Sequence, residues 1–388
     1  MKIRRCAVLY VESREDLAID WQAILSGRNA LAGATRWVAL APHLDRELDV
    51  GADDLPALGG ISQSVWRARA ELERRYGADS IERLLEQGLL IADTPEYASA
   101  RERDDTLRAI HWRPLSALAH TFGRWREVSA VVTTEGESFQ EMLNSFGEPP
   151  PPTLELNEEG ALKLPAAVRG PLDETLFLRY TGRNYDTAAS LPLAVAARLL
   201  QRTFGAQELR QIGPHASVLK KTSPSGGALH PVEAFVLAQR VDGVEPGLYH
   251  YHPIAHELRP VRTMPQDEAA ALAASMLGDQ AWLAGAAMQV ILVGRTERSF
   301  WKYRNHQKAY RALALDAGHL SQTFYLLAAE AGLPAFITAA INDADIEQQL
   351  GLDHLKHAVI AMCGCGKAAA GTRHMVELRY GETDAGPA

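Results

Sequence analysis

At 388 residues the chain is long enough for two domains that each bury a core of their own. Hydrophobic residues make up 47% and charged residues 23%, the balance of a globular protein. A formal net charge of −8 argues against a broad nucleic-acid-binding face, and three cysteines are too few for a disulfide framework.

No stretch of membrane-spanning length is free of charges. The basic start, Met1 to Arg5, is not followed by an apolar run of signal-peptide length. A reducing cytoplasm is the expected setting, with no membrane and no nucleic acid as partner.

Residues 1–165 read as a separate unit. Residues 7–11 and 37–41 have the apolar content of strands. Residues 64–75 read as a helix closed by Gly77; Ser80 then suits the N-cap of a helix over 81–87, closed by Gly88. Residues 89–92 follow as a strand. Helix, turn, helix, strand is the outline of a winged helix, shared by many small helical domains. Such a unit can add an extended peptide to a sheet edge, can hold DNA, which the charge disfavours, or can serve only packing and dimerisation. His111, Trp112, His120 and Trp125 either line a peptide groove or pack a helix with their polar tips wet. Pro149 to Pro152 favour a stiff spacer, and the charge-rich residues 155–159 suit an exposed crossover. The boundary is placed there, giving units 1–165 and 166–388.

The second unit opens with an extended segment, residues 178–186. Arg179, Thr181 and Arg183 stand at alternate positions, so their side chains share one side. Two guanidiniums and a hydroxyl make a phosphate clamp, or else a basic strand edge. Residues 191–204 read as an amphipathic helix. Then comes Pro224-Ser225-Gly226-Gly227, where two missing Cβ atoms let the backbone lie against something planar, or simply make a tight turn. Residues 234–238, 247–253 and 288–294 read as strands. His250 and its neighbours lack the paired spacing of a metal site.

Residues 295–311 are dense in cations and aromatics, with Lys302 and Tyr303 adjacent. A Lys desolvated among cations loses basicity and can act as a general base, and Tyr303 can exchange a proton at the same place. The other reading is a solvated basic face. Leu313, Ala317, Leu320, Phe324, Leu327 and Ala331 form a heptad seam on one long helix, closed by Gly332 and Pro334. That seam serves a core or a dimer. Thr338, Ala339 and Ala340 are small enough for close backbone approach. Residues 358–363 read as a strand, after which Gly364, Gly366 and Lys367 suit a turn near a phosphate. Cys363 and Cys365 lack the remaining ligands of a zinc site. Arg373 is a further cation, and residues 381–388 read as a frayed tail.

The ordered blocks Arg179–Tyr185, Pro224–Glu233, Gly247–Tyr251, Trp301–Tyr303 and Asp316–Gln322 running on to Pro334 resemble the FMN-dependent dehydrogenases of peptide maturation. These are the thiazole/oxazole oxidase branch of the nitroreductase superfamily. The resemblance covers roughly the C-terminal half. It implies an α+β nitroreductase-like fold, with a central antiparallel or mixed sheet flanked by helices, behind the winged-helix-like unit. It also implies that Arg179, Thr181 and Arg183 hold the FMN phosphate and ribityl chain, Thr181 standing where Ser is usual. Pro224, Ser225, Gly226, Gly227, Leu229, Gly364 and Lys367 join them as cofactor-binding positions, and Thr338, Ala339 and Ala340 lie near flavin N5. A Glu-Gly pair frequent in nitroreductases at this last segment is absent.

In azoline-oxidising relatives a Lys-Tyr pair takes the ring-carbon proton while the flavin takes a hydride, which puts Lys302 and Tyr303 in the catalytic role. The implied protein is a homodimer acting on a ribosomal precursor peptide beside companion modifying enzymes, with oxygen as electron sink and the N-terminal unit gripping a leader segment. The rival readings are an NAD(P)H-dependent nitro or quinone reductase and a flavin-free peptide scaffold.

Overall fold

The computed structural model describes residues 1–19, 21–26, 31–131, 139–154 and 160–370. By internal contacts the chain forms two compact units, each assembled from segments distant in sequence. The first joins residues 1–124, 295–312 and 353–358; the second joins 125–294, 313–352 and the residues from 359 onward.

In the first unit, strand β1 (Lys2–Arg5) precedes a three-stranded meander of β2 (Tyr10–Ile19), β3 (Leu31–Ala41) and β4 (Arg46–Val50). Cross-strand pairs on the meander, Arg14 with Glu47 at 2.7 Å and Arg36 with Asp49 at 2.7 Å, mark a solvated face. Then come helix α1 (Leu55–Gly60), β5 (Arg67–Ala68), α2 (Arg69–Tyr76), α3 (Ala78–Glu86), β6 (Leu90–Ala92), α4 (Ala98–Ala109) and α5 (Pro114–Phe122). β1 lies antiparallel between β5 and β6. Ile81, Leu84 and Leu85 form one apolar face of α3, buried with Ile3, Leu90 and Ile91.

Three sequence-level expectations shift here. The strand expected at 7–11 is interrupted, because Ala7 donates its N–H to the buried carboxylate of Asp104 at 2.6 Å rather than to a strand. The helix expected from residue 64 starts only at Arg69, since Arg67 and Ala68 pair with β1. Ser80 lies inside α3, whose N-cap is Gly77, and donates to buried Asp54 at 2.5 Å. Trp112 and His120 are packing residues, not a groove. Trp112 stacks on His120 with ring centroids 5.2 Å apart, meets Phe300 edge-on, and donates its indole N–H to Leu355 O at 2.8 Å.

The second unit is built on a six-stranded sheet whose strands lie in the order 257–263, 247–252, 232–238, 288–295, 357–365 and 335–338. Helix α6 (Leu193–Phe204) and the hairpin β7 (Glu208–Gly213) with β8 (Ala216–Lys220) precede it. Its strands are β9 (Val232–Ala238), β10 (Gly247–His252), β11 (Glu257–Thr263), β12 (Met288–Arg295), β13 (Ala335–Thr338) and β14 (His357–Cys365). Helix α7 (Gln266–Met276), α8 (Ala309–Glu330) from Leu313 onward and α9 (Asp343–Leu350) complete it. Val290 and Leu292 join the core under α6 and α8, whereas Ile291 and Val293 join the core under α7 and α9. Both faces of β12 are therefore covered, which is why the strand is apolar at successive positions. The architecture is the α+β class expected.

The seam residues Leu313, Ala317, Leu320 and Phe324 are buried in the chain itself, and Ala317, Leu320 and Phe324 belong to the core beneath the sheet. Pro149 to Pro152 are exposed and lie in neither helix nor strand, while residues 155–159, Arg373 and residues 381–388 lie outside the described residues. Among the described residues no helix is long and apolar enough to cross a membrane.

Candidate functional site

Helix α8 presents an apolar stripe to the core but carries three polar side chains that reach elsewhere. Asp316 is buried, and a buried carboxylate needs donors. It takes the Ser225 hydroxyl at 2.5 Å and the Gly226 N–H at 3.0 Å. Ser225 Oγ in turn accepts the His230 N–H at 2.9 Å, so one carboxylate ties the whole bend. Seven residues on, Thr323 Oγ1 meets Ser223 Oγ at 2.7 Å; because Thr323 donates to His319 O, Ser223 is the donor. Gly227 sits at φ +61°, a left-handed conformation that favours glycine, and it is exposed. Pro224 is exposed beside it, and Leu229 is buried as the anchor behind the bend.

The third polar group is Tyr325. Its phenolic oxygen lies 3.1 Å from Thr181 Oγ1 and accepts the Ile337 N–H at 3.1 Å. The Arg179 guanidinium stands over the Tyr325 ring, 5.4 Å from its centroid. Leu178, expected in the extended segment, ends the helix Asp173–Leu178; Arg179 after it has extended backbone, and Thr181 makes an isolated parallel bridge to Ala335 of β13. Gly182 donates its N–H to Ala335 O at 2.8 Å, and a Cβ there would collide with Pro334. Arg179, Thr181 and Arg183 are half-buried. Exposed Lys367 is held near this segment, its carbonyl accepting the Asp186 N–H at 2.9 Å.

Thr338 and Ala340 are half-buried and Ala339 is exposed just after β13. Thr338 Oγ1 accepts the Ala340 N–H at 3.1 Å and Gln280 donates to Ala340 O at 2.7 Å, which fixes the turn. Gly364 is different. It is buried within β14, where a Cβ would press on Phe336 and on the Met288 carbonyl, so its missing side chain serves strand packing.

Lys302 and Tyr303 end the helix Thr296–Tyr303, which belongs to the first unit. Lys302 is exposed there, with its ammonium 5.8 Å from the Tyr303 ring centroid. The desolvation anticipated for this lysine is thus not supplied within its own unit. Cys363 and Cys365 are fully buried in β14; burial pushes both thiols up, Cys365 to about 12. Among the described residues no cluster of three His, Cys, Asp or Glu side chains could hold a metal.

Reading the chain alone singles out the loop and the Arg–Thr–Arg segment but misses Asp316 and Tyr325. A usable signal exists for Asp316. It lies three residues after Leu313 on the stripe that faces the core, where a carboxylate demands partners.

The nitroreductase family pattern matches residues 177–367. The chain is 29% identical over 189 residues to MJ1384 of Methanocaldococcus jannaschii, a protein assigned as a nitroreductase by inference, covering 49% of this chain and 88% of that protein. It is 32% identical over 136 residues to the trifolitoxin-processing protein TfxB of Rhizobium leguminosarum bv. trifolii, covering 35% of this chain and 36% of TfxB. It is 26% identical over 178 residues to the microcin B17-processing protein McbC of Escherichia coli, covering 45% of this chain and 61% of McbC. The chain therefore spans less than two thirds of TfxB and of McbC. Among solved structures, a chain of the E. coli microcin synthetase McbBCD complex with truncated pro-MccB17 bound aligns at a TM-score of 0.48 and 20% identity, covering 68% of this chain and 94% of that one.

Proposed function

Residues 177–367 of this chain form a nitroreductase-family domain, and from that premise we propose that the protein is an FMN-dependent dehydrogenase in the maturation of a ribosomally made peptide. The observation that carries the reading is the anchoring of two separate elements, the Arg179–Arg183 segment and the Ser225–Gly227 bend, to Tyr325 and Asp316 of one helix. The trifolitoxin-processing and microcin B17-processing proteins among the relatives support the substrate class.

The residues present fit FMN. Arg179 and Arg183 would pair with the phosphate, and Thr181 would donate to it. Lys367 adds a cation beside that segment. Gly226 and Gly227 leave room for a flat ring, with Pro224 and Leu229 stiffening the bend, and Thr338, Ala339 and Ala340 keep the facing backbone bare. When bound, the flavin supplies two-electron acceptance from a carbon beside nitrogen in an azoline-like ring or an amino-acid residue. Lys302 or Tyr303 takes the proton from that carbon. The N-terminal winged-helix-like segment, with its linker ending near residue 165, recruits the precursor peptide. A homodimer, companion modifying enzymes, a cytoplasmic setting and oxygen as the terminal acceptor complete the reading.

The test is purification with added FMN, followed by absorption spectroscopy and incubation with a synthetic peptide carrying one thiazoline. A bound flavin spectrum and loss of two hydrogens from the peptide, seen by mass, are expected. Protein that stays colourless removes the reading and leaves a peptide-binding scaffold. A second reading, a nicotinamide-fed reductase of nitro compounds or quinones, draws on the match to most of MJ1384. Rapid bleaching of the flavin by NAD(P)H in stopped flow would favour it.

A further inference from the structure

The hydrogen bonds around Tyr325 fix which way its proton points, and that direction has a consequence for ligand choice. The Ile337 N–H can only donate, so the Tyr325 oxygen accepts at 3.1 Å. Tyr325 is 7% exposed, and a buried phenol needs an acceptor for its own proton. Thr181 Oγ1, at 3.1 Å, is the acceptor that the geometry offers. Were Thr181 to donate to Tyr325 instead, the phenolic proton would be left without a partner. Thr181 is thereby held as an acceptor toward the protein, and its own O–H is left to point outward as a donor. The same ring carries the Arg179 guanidinium on its face, 5.4 Å from the centroid. One aromatic side chain thus orients a cation and a hydroxyl donor together.

Resting on the FMN reading, we propose that Tyr325 is a positioning residue that makes this cradle selective for a phosphorylated flavin over the unphosphorylated one. A guanidinium and a hydroxyl committed to donation suit the acceptor-only oxygens of a phosphate monoester. They add much less for riboflavin, whose side chain ends in an uncharged hydroxyl. The isoalloxazine ring, which the two flavins share, would be held by the Ser225–Gly227 bend, a separate element from the Thr181–Tyr325 pair. The selectivity therefore resides in the Thr181–Tyr325 pair and not in the ring site.

The experiment is titration of full-length apoprotein with FMN and, separately, with riboflavin, followed by quenching of flavin fluorescence. The proteins are wild type, Tyr325→Phe, Thr181→Val and the double variant, with thermal melts as the folding control. Tyr325→Phe keeps the ring beneath Arg179 and removes only the hydroxyl. It is expected to weaken FMN about tenfold and riboflavin less than about twofold. Thr181→Val should do the same, and the double variant should be no weaker than Thr181→Val alone. Equal weakening of both flavins by Tyr325→Phe, no change in either, or additive losses in the double variant would each overturn the proposal, leaving Tyr325 as packing. Should Tyr325→Phe fail to fold, Tyr325→Met decides in its place, because it too removes the hydroxyl and leaves Thr181 unchanged. A loss confined to FMN supports the proposal and an equal loss of both flavins refutes it. Wild-type protein that binds neither flavin refutes the cofactor reading itself, and the proposal with it.

Discussion

Asp316 accepts from the Ser225 hydroxyl at 2.5 Å and from the Gly226 N–H at 3.0 Å, so a single buried carboxylate sets the shape of the glycine bend. Hydrogen bonds to an ionised group contribute about 1.5–3 kcal/mol each. Asp316→Ala is expected to lower stability by about 2–4 kcal/mol and to weaken FMN binding at least about tenfold. Urea unfolding and a flavin titration read the two effects. Binding as tight as wild type would show that the bend keeps its shape without the carboxylate.

Gly182 lets the Arg179–Arg183 segment pass close to Pro334. A Cβ at that position collides with the Pro334 ring. Gly182→Ala should therefore destabilise by about 1–3 kcal/mol, as overpacking does, and should loosen FMN by shifting Thr181. A melting temperature equal to that of wild type would mean that the segment moves aside at no cost.

Lys302 and Tyr303 carry the proposed proton transfer. Lys302→Ala is expected to retain bound FMN at wild-type stoichiometry while dehydrogenation of a thiazoline peptide falls by about 100-fold or more. Tyr303→Phe separates the two candidates, since the residue whose loss is the more severe is the base. Unchanged turnover in Lys302→Ala would remove that lysine from the mechanism.

Of the histidines of the first unit that burial shifts toward the neutral form, His120 and His354 are shifted furthest. Desolvation, helped by the nearby Arg124, lowers His120 to about 3 and His354 to about 4, from an ordinary 6.5. Each donates from Nε2 to a carbonyl, His120 to His354 O at 2.9 Å and His354 to Pro42 O at 3.1 Å. Tyr310 OH and Arg103 supply protons to their Nδ1 atoms. Below pH 6.5 the unfolded chain takes up protons that the folded unit refuses, so stability falls with pH between 6.5 and about 4. The slope is up to about 1.4 kcal/mol per pH unit per histidine. Urea unfolding at several pH values should show this, and His120→Gln should flatten it. An unchanged slope in that variant would exclude His120 as the source.

Cys6, Cys363 and Cys365 are fully buried, and burial pushes their thiols up, Cys6 and Cys365 to about 12. Thiolate, the reactive form, is scarce in the folded state. Treatment with a thiol reagent at pH 8 should label none of the three until denaturant is added. Rapid labelling in buffer would show that the segment bearing the labelled cysteine opens.

The chain by itself determined the elements whose cause is local. The apolar run Val290–Val293 marks a strand covered on both faces, and the four-and-three spacing from Leu313 marks one long helix ended by Gly332. The Arg–Thr–Arg alternation and the paired glycines were legible for the same reason, because backbone geometry repeats within a few residues. Tertiary structure alone decided what those elements touch. Ser225 and Asp316 are 91 residues apart, and Thr181 and Tyr325 are 144 apart, so no spacing announces either pair. Trp112 and His120 resemble recognition residues in the chain, yet each is buried against the other. Partners of a polar or aromatic side chain depend on which distant helix packs over it, and that choice belongs to the whole core rather than to any local period.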